Sequence, residues 1–287
     1  MKNICASCKS ITLDKVVKTD NDANPEWLEE IDYVTQFINS KELIPYIQKR
    51  TNMKISLNLG KKNYNRLVLY WAAEPSDKGE NDFTLKNAKE AYLGEQFDDN
   101  SFSNYGVGKC DKDGNIIIKL NCPQPYWTRE KGKKNDESYY RHFHFCYSNV
   151  KHTRWLSEVF TKVVIYSISL KDTMSLHKKG NIVLINALPC EYYGKDHIPN
   201  SFNLPVNVVK KMSELELINW FSEVISINYP KINKHKDHIN IQDVPIIVYC
   251  AHSDCSAGHD CAIELMKKNF INVRDFQGGM KEYKQIK

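Results

Sequence analysis

Two groups of residues in this chain have the types and spacing to do chemistry. In VYCAHSDCSAGHD, residues 248–260, Cys250 ends an apolar run and Cys255 follows five residues later, just before a segment of helical period. A strand ending in cysteine, turning through Ala251, His252, Ser253, Asp254 and Cys255 and entering a helix at Ser256, aims backbone N–H groups and the positive helix end at the sulfur. Both effects favour thiolate, so the stretch predicts a nucleophilic cysteine in an amide cradle that also suits a persulfide or an oxyanion. The plain alternative is a small apolar thiol closing a buried strand.

The second group is YYRHFHFCY, residues 139–147. On a strand, His142 and His144 share one face while Phe143 and Phe145 take the other, which is how a sheet offers two metal ligands. The alternative is a histidine pair on a solvated face.

The elements around these groups differ in texture. NPEWLEEIDYVTQFINSKELIPYIQKR has helical spacing and reads as one or two amphipathic helices within a lead-in covering 1–54. ISLNL, RLVLYWAA, NIIIKLNC and YRHFHFCY are short β-rich runs broken by turns such as DKDG, predicting a mostly-β sandwich over 55–160. NVKHTRWLSEVFTKVV predicts a helical connection out of it. From 163 to 287 the pattern becomes strand, helix, strand: NIVLINA and PIIVYC are continuous apolar runs, with helical periods in VVKKMSELELINWFSEVI and SAGHDCAIELMKKN. That alternation predicts an open α/β parallel sheet, whose sites form outside the carboxyl ends of the strands, where Cys250 falls. The fold class expected is thus a two-domain α+β chain.

DVPIIVYCAHSDCSAGHDCAIELMKKNFINVRDFQGGMKEY resembles the carboxyl half of a rhodanese domain, and IVLINALPCEYYGKDHIPNSFNLP resembles its first half. The resemblance covers about 163–287. It implies that Cys250 carries sulfane sulfur, that residues 251–255 with Ser256 form the cradle, and that the partners are a sulfur donor and a thiol acceptor, both of which can be proteins. No cofactor is implied. Cysteine phosphatases, including rhodanese-fold ones, need an arginine six residues after the cysteine to grip phosphate; here that residue is Ser256, which disfavours phosphatase chemistry. The loop lacks the basic residues of thiosulfate-handling rhodaneses, and Asp254 would repel a dianion, so a protein persulfide donor or a redox role is expected instead. Asn186, Ala187 and Leu188 stand where charged residues usually follow the first strand.

Cys255 lies in the same short loop and would resolve a persulfide or sulfenate on Cys250 as a disulfide, unless it faces the helix interior. Cys261 reads as core, and Cys190 is a further thiol near the same sheet end.

GVGKCDKDGNIIIKLNCPQPYW followed by YYRHFHF resembles the core of intradiol ring-cleavage dioxygenases over about 65–150. By that resemblance an iron(III) ion is held by two tyrosines and two histidines: Tyr126, His142, His144, and a second tyrosine that is Tyr92 or Tyr105. Arg141 stands next to the first histidine. Cys5 and Cys8 form a lone C-x-x-C, and Cys110 and Cys122 flank the DKDG turn, so a four-thiolate site is conceivable. Cys146 alternates with His144 and reads as packed.

A net charge of +5, with lysines and acids interspersed, argues against a nucleic-acid partner, and no apolar run approaches the ~20 residues of a membrane helix. Nine cysteines, an odd count, without a secretory leader, imply reduced thiols in an intracellular, cytoplasmic setting. Three functions compete: sulfur transfer at Cys250, iron chemistry at the histidine strand, and a non-catalytic interaction protein built from both folds.

Overall fold

The computed structural model describes residues 45, 51–75, 84–93, 103–128, 137–156, 158–235 and 239–286. Nearly all of the expected helical lead-in, with Cys5 and Cys8, lies outside these residues. The chain divides into two units, residues 1–76 with 86–164 and residues 77–85 with 165–287.

The first unit is mostly β, with strands β1 (Met53–Asn58), β2 (Leu67–Ala72), β3 (Lys86–Asn87), β4 (Tyr105–Lys109) and β5 (Asn115–Leu120). β6 (Tyr126–Thr128), β7 (Glu137–Tyr139), β8 (His142–Tyr147) and β9 (Phe160–Val163) follow, with one short helix, α1 (Ala88–Leu93), after β3. These strands form sheets in the orders β1-β5, β4-β2-β8-β9 and β3-β6-β7, so the described residues make three small sheets where two were expected. In the four-stranded sheet β2 is central, and all six of its residues, LVLYWA, are buried. That is the pattern of a strand covered on both faces. β1 instead alternates buried and exposed residues along its first half, as a strand with one wet face does. The DKDG turn is held by the Asp111 carboxylate, which accepts the Asp113 and Asn115 amides at 2.9 and 2.8 Å. Gly114 there has φ 81, and a Cβ on it would meet the Gly60 carbonyl oxygen, so only glycine fits.

The helix expected in NVKHTRWLSEVFTKVV does not form. Residues 149–154 turn back, an isolated bridge joins Ser148 to Trp155, and the β-branched end of the segment becomes β9, antiparallel to β8. Burying Trp155 and capping the free edge of β8 outweigh a weak helical period.

The second unit is an α/β parallel sheet. It contains β10 (Tyr166–Ser167), β11 (Val183–Asn186), β12 (Phe202–Asn203), β13 (Ile246–Tyr249) and β14 (Val273–Phe276), in the order β10-β14-β13-β11-β12, every pair parallel. Its helices are α2 (Leu170–Lys179), α3 (Cys190–Tyr193), α4 (Val206–Lys211), α5 (Glu214–Asn228), α6 (Pro230–Asn233), α7 (Ala257–Lys267) and α8 (Gly279–Tyr283). β11 and β13 are buried at every residue, as their unbroken apolar runs require. Ser169 caps α2 through Asp172, and Ser213 with Glu216 forms a capping box that restarts the chain as α5 after α4 ends at Met212. Leu170 and Leu176 of α2 pack with Leu184, Ile247, Tyr249 and Phe276 in one core cluster. Cys261, Ala262, Leu265 and Met266 are the buried stripe of α7, which packs on β13 and β14.

Candidate active site

Cys250 follows β13, at the carboxyl end of the central strand, and α7 begins seven residues later. The position of the cysteine is held from behind by α8. The amides of Met280 and Lys281 donate to the carbonyls of Cys250 and Ala251 at 2.9 and 2.8 Å, which needs the backbone of Gly279 pressed against the loop. Ser256 is the N-cap of α7, but its hydroxyl bonds Asp260 at 2.8 Å and caps no amide. An amide of the first turn, that of Gly258, is directed at the Cys250 sulfur instead, and the His252 amide joins it. The sulfur thus occupies the place a capping oxygen would take.

The cradle is narrower than its length suggested. The Asp254 amide goes to the His252 ring at 3.3 Å and the Cys255 amide to the His252 carbonyl at 3.0 Å, while the backbones of Gly258 and His252 are the ones that lower the Cys250 thiol. Ser253 and Asp254 are exposed at the loop mouth, while Ala251 and His252 are half-buried. The Asp254 carboxylate stands 3.9 Å from His252 Nδ1.

Burial works against the expected thiolate. Cys250 is only 2% exposed, and burial, reinforced by the Cys255 side chain, pushes its thiol up to about 12, against the lowering effect of the Gly258 and His252 amides. Removing the sulfur from water costs its anion more than two amides return. At neutral pH Cys250 is therefore a thiol, and it donates to the carbonyls of Cys255 and His252 at 3.2 and 3.7 Å. Cys255 is half-buried, and its carbonyl accepts from the Cys250 thiol. Cys261 is fully buried and donates to the Leu204 carbonyl at 3.8 Å, while Cys190 is exposed beside Glu191.

Sequence reasoning missed Gly258, His259 and Asp275. A Cβ at Gly258 would lie 3.2 Å from an Asp275 carboxylate oxygen and 3.4 Å from the Cys250 nitrogen, so the close approach of α7 to β13 rests on this glycine. Asp275, buried under the loop, faces His259 Nδ1 at 3.3 Å. The signal for Gly258 was a glycine in the first turn of a helix, where only close packing explains it.

In the first unit, four residues singled out as iron ligands converge. The Tyr126 hydroxyl and His142 Nε2 are 2.8 Å apart, and His142 Nδ1 donates to the Tyr140 carbonyl at 2.5 Å, so Nε2 is the acceptor and Tyr126 the donor. The Tyr92 and Tyr126 rings are 5.7 Å apart, and the His142 and His144 rings are 4.8 Å apart. His144 Nδ1 bonds the Thr161 hydroxyl at 2.9 Å. The pair is not on a solvated face: both imidazoles are buried. Burial lowers His142 to about 4 and, with His142 beside it, drives His144 well below its usual value, so both are neutral. Burial likewise raises Tyr92 and carries Tyr126 well above the phenol range. Tyr105, the alternative second tyrosine, packs at the edge of the same core.

Two phenol oxygens and two neutral imidazoles, each imidazole anchored through Nδ1, are a donor set that fits iron(III). Among the described residues no group of three or more His, Cys, Asp or Glu side chains could hold a metal; Cys5 and Cys8 of the four-thiolate expectation lie outside those residues.

Comparison with known proteins matches residues 169–286 to the rhodanese-like domain family. A comparison with curated protein sequences found no match. A human single-domain sulfurtransferase is 18% identical, the match covering 42% of this chain and 96% of that one, with a TM-score of 0.32. A single-domain sulfurtransferase of Saccharomyces cerevisiae is 13% identical over 42% and 90% of the two chains, with a TM-score of 0.31. A protein from Bacillus halodurans is 21% identical over 42% and 72%, with a TM-score of 0.30. Among the described residues no helix is long and apolar enough to cross a membrane.

Proposed function

We propose, from the premise that residues 169–286 form a rhodanese-like domain, that the chain is a sulfurtransferase in which Cys250 takes up a sulfane sulfur and passes it to a thiol. The observation that carries this reading is the direction of the Gly258 and His252 amides at the Cys250 sulfur, from a helix N-terminus at the carboxyl end of the central strand. Those donors are fixed before any anion forms, which is the arrangement that stabilises a developing sulfur charge without reorganisation. The barrier is desolvation, the largest cause of the raised thiol. A donor reaching the loop must expose the sulfur, and exposure removes that cause while the amide donors stay.

The first step forms a bond between Cys250 Sγ and the outer sulfur of a persulfide donor. The donor's S–S bond breaks, its thiolate leaves, and the Cys250 proton passes to that leaving group. The second step reverses this onto an acceptor thiol. Residues 251–256 contain no lysine or arginine and carry an exposed Asp254, which favours a persulfide over dianionic thiosulfate. The test is intact-mass analysis of the reduced chain after glutathione persulfide or thiosulfate, with Cys250→Ser alongside. Sulfur taken from the persulfide alone, read as added mass or as sulfide trapped from the same reaction and lost in the variant, is expected; neither added mass nor released sulfide from either donor would overturn the reading.

A second reading rests on the convergence of Tyr92, Tyr126, His142 and His144 in the first unit, which suits an iron-binding, intradiol-dioxygenase-like centre. Tyr92 and Tyr126 would supply phenolate oxygens, and His142 and His144 their Nε2 atoms. Iron held there would supply Lewis-acid activation of a catechol-type substrate. Protein loaded with iron(III) should show a visible tyrosinate charge-transfer band that Tyr126→Phe weakens; protein that stays colourless after loading would sink it.

A further inference from the structure

The loop after β13 folds back on itself. The Cys255 amide reaches the His252 carbonyl at 3.0 Å, the Cys250 thiol reaches the Cys255 carbonyl at 3.2 Å, and the Cys255 side chain is near enough to raise the Cys250 thiol. The two sulfurs also differ in access: Cys250 is 2% exposed, whereas Cys255 stands at the half-buried rim. The remaining thiol of this region, Cys261, is locked in the buried stripe of α7 with its own carbonyl acceptor. Cys255 thus stands beside the sulfur of Cys250 and within reach of an outside reductant.

We infer that Cys255 is a resolving thiol that turns a Cys250 persulfide into an intraloop disulfide and releases sulfide. The inference rests on the reading of Cys250 as the sulfur carrier. Cys255 sulfur attacks Cys250 Sγ, a Cys250–Cys255 bond forms, and the bond to the outer sulfur breaks with its electron pair leaving as hydrosulfide. The Cys255 proton ends on that hydrosulfide as hydrogen sulfide. Both cysteine sulfurs are oxidised by one step in sum, and the sulfane sulfur is reduced to sulfide. An external dithiol then reduces the disulfide, returning both thiols and leaving as its own cyclic disulfide. Over a cycle, a persulfide and a dithiol become a thiol, hydrogen sulfide and an oxidised dithiol. The loop is then a persulfide-reducing device, with direct transfer to an acceptor thiol in competition with the resolving step.

The experiment uses the full reduced chain, its Cys255→Ser and Cys255→Ala variants, and Cys250→Ser. Each is treated with glutathione persulfide under anaerobic conditions, without added reductant. Intact mass, peptide mapping and trapped sulfide are read together. The expected result is a wild-type chain two hydrogens lighter, with Cys250 joined to Cys255 and one equivalent of sulfide released. Both Cys255 variants should stay one sulfur atom heavier and release sulfide only at the level of Cys250→Ser. A wild-type chain that keeps the extra sulfur as long as the Cys255 variants do would overturn the inference and leave the carrier reading intact. Cys255 variants that take up no sulfur would overturn the carrier reading, and the inference with it. Anaerobic treatment and the sulfide count separate this route from disulfide formation by oxygen, which releases none.

Discussion

A Cβ on Gly279 would stand 2.3 Å from the Cys250 carbonyl oxygen. The glycine has φ 55, and the amide of the next residue, Met280, donates to that same carbonyl. The helix that closes the domain is therefore docked directly on the cysteine's backbone.

Gly279→Ala should accordingly cost about 1–3 kcal/mol from backbone conformation alone, with the contact against Cys250 adding to it. Urea denaturation would report the loss as a lower midpoint. The loop should also loosen, so Cys250 in folded Gly279→Ala should alkylate faster than in the wild type. An unchanged midpoint with an unchanged labelling rate would mean that α8 does not clamp the loop.

Cys250 should behave as a buried thiol toward pH. Because burial lifts it to about 12, its alkylation should rise roughly tenfold per pH unit from neutrality upward, with no plateau below pH 10. Peptide-resolved labelling with iodoacetamide measures this directly. A plateau near pH 7 would mean that the amides of His252 and Gly258 outweigh desolvation. The same shift has a stability counterpart. The folded state holds the proton more tightly than the unfolded one, so this stabilisation is complete below the unfolded thiol's value of about 8.5. It is lost as pH rises toward 12, and Cys250→Ser should flatten that decline.

Tyr126→Phe removes the hydroxyl that donates to His142 Nε2 in a site closed to water. A buried acceptor without its donor should cost about 1–3 kcal/mol, measurable by chemical denaturation. Tyr139→Phe, which breaks the 3.2 Å bond from the Thr128 hydroxyl, serves as a neighbouring comparison for loss of a phenol hydroxyl in the same core. Equal, near-zero losses in both would mean that the Tyr126–His142 bond contributes nothing net to the fold.

Much of the second unit was legible from pattern alone. VLIN and IIVY are runs that can only be buried on both faces, and a strand, cysteine loop and helix in that order leave one place for Cys250, outside the carboxyl end of β13. The segment around Trp155 was not legible, because its helical spacing is local while its partner, the edge of β8, is a pairing that forms only in three dimensions. Tyr92 shows the same limit. It lies 34 residues before Tyr126 and 50 before His142, and its selection over Tyr105 came from the packing of α1, where it is fully buried against Tyr126.

Residue order and type alone determined which thiol stands at the strand end, that Ser256 occupies the phosphatase arginine's place, and that His142 and His144 share a strand face. Only the tertiary structure decided their chemical state. Hydrogen-bonding direction and local charge can be read from neighbours in the chain, but desolvation depends on everything packed around a group. That cause keeps Cys250 protonated despite its amides and leaves both imidazoles neutral.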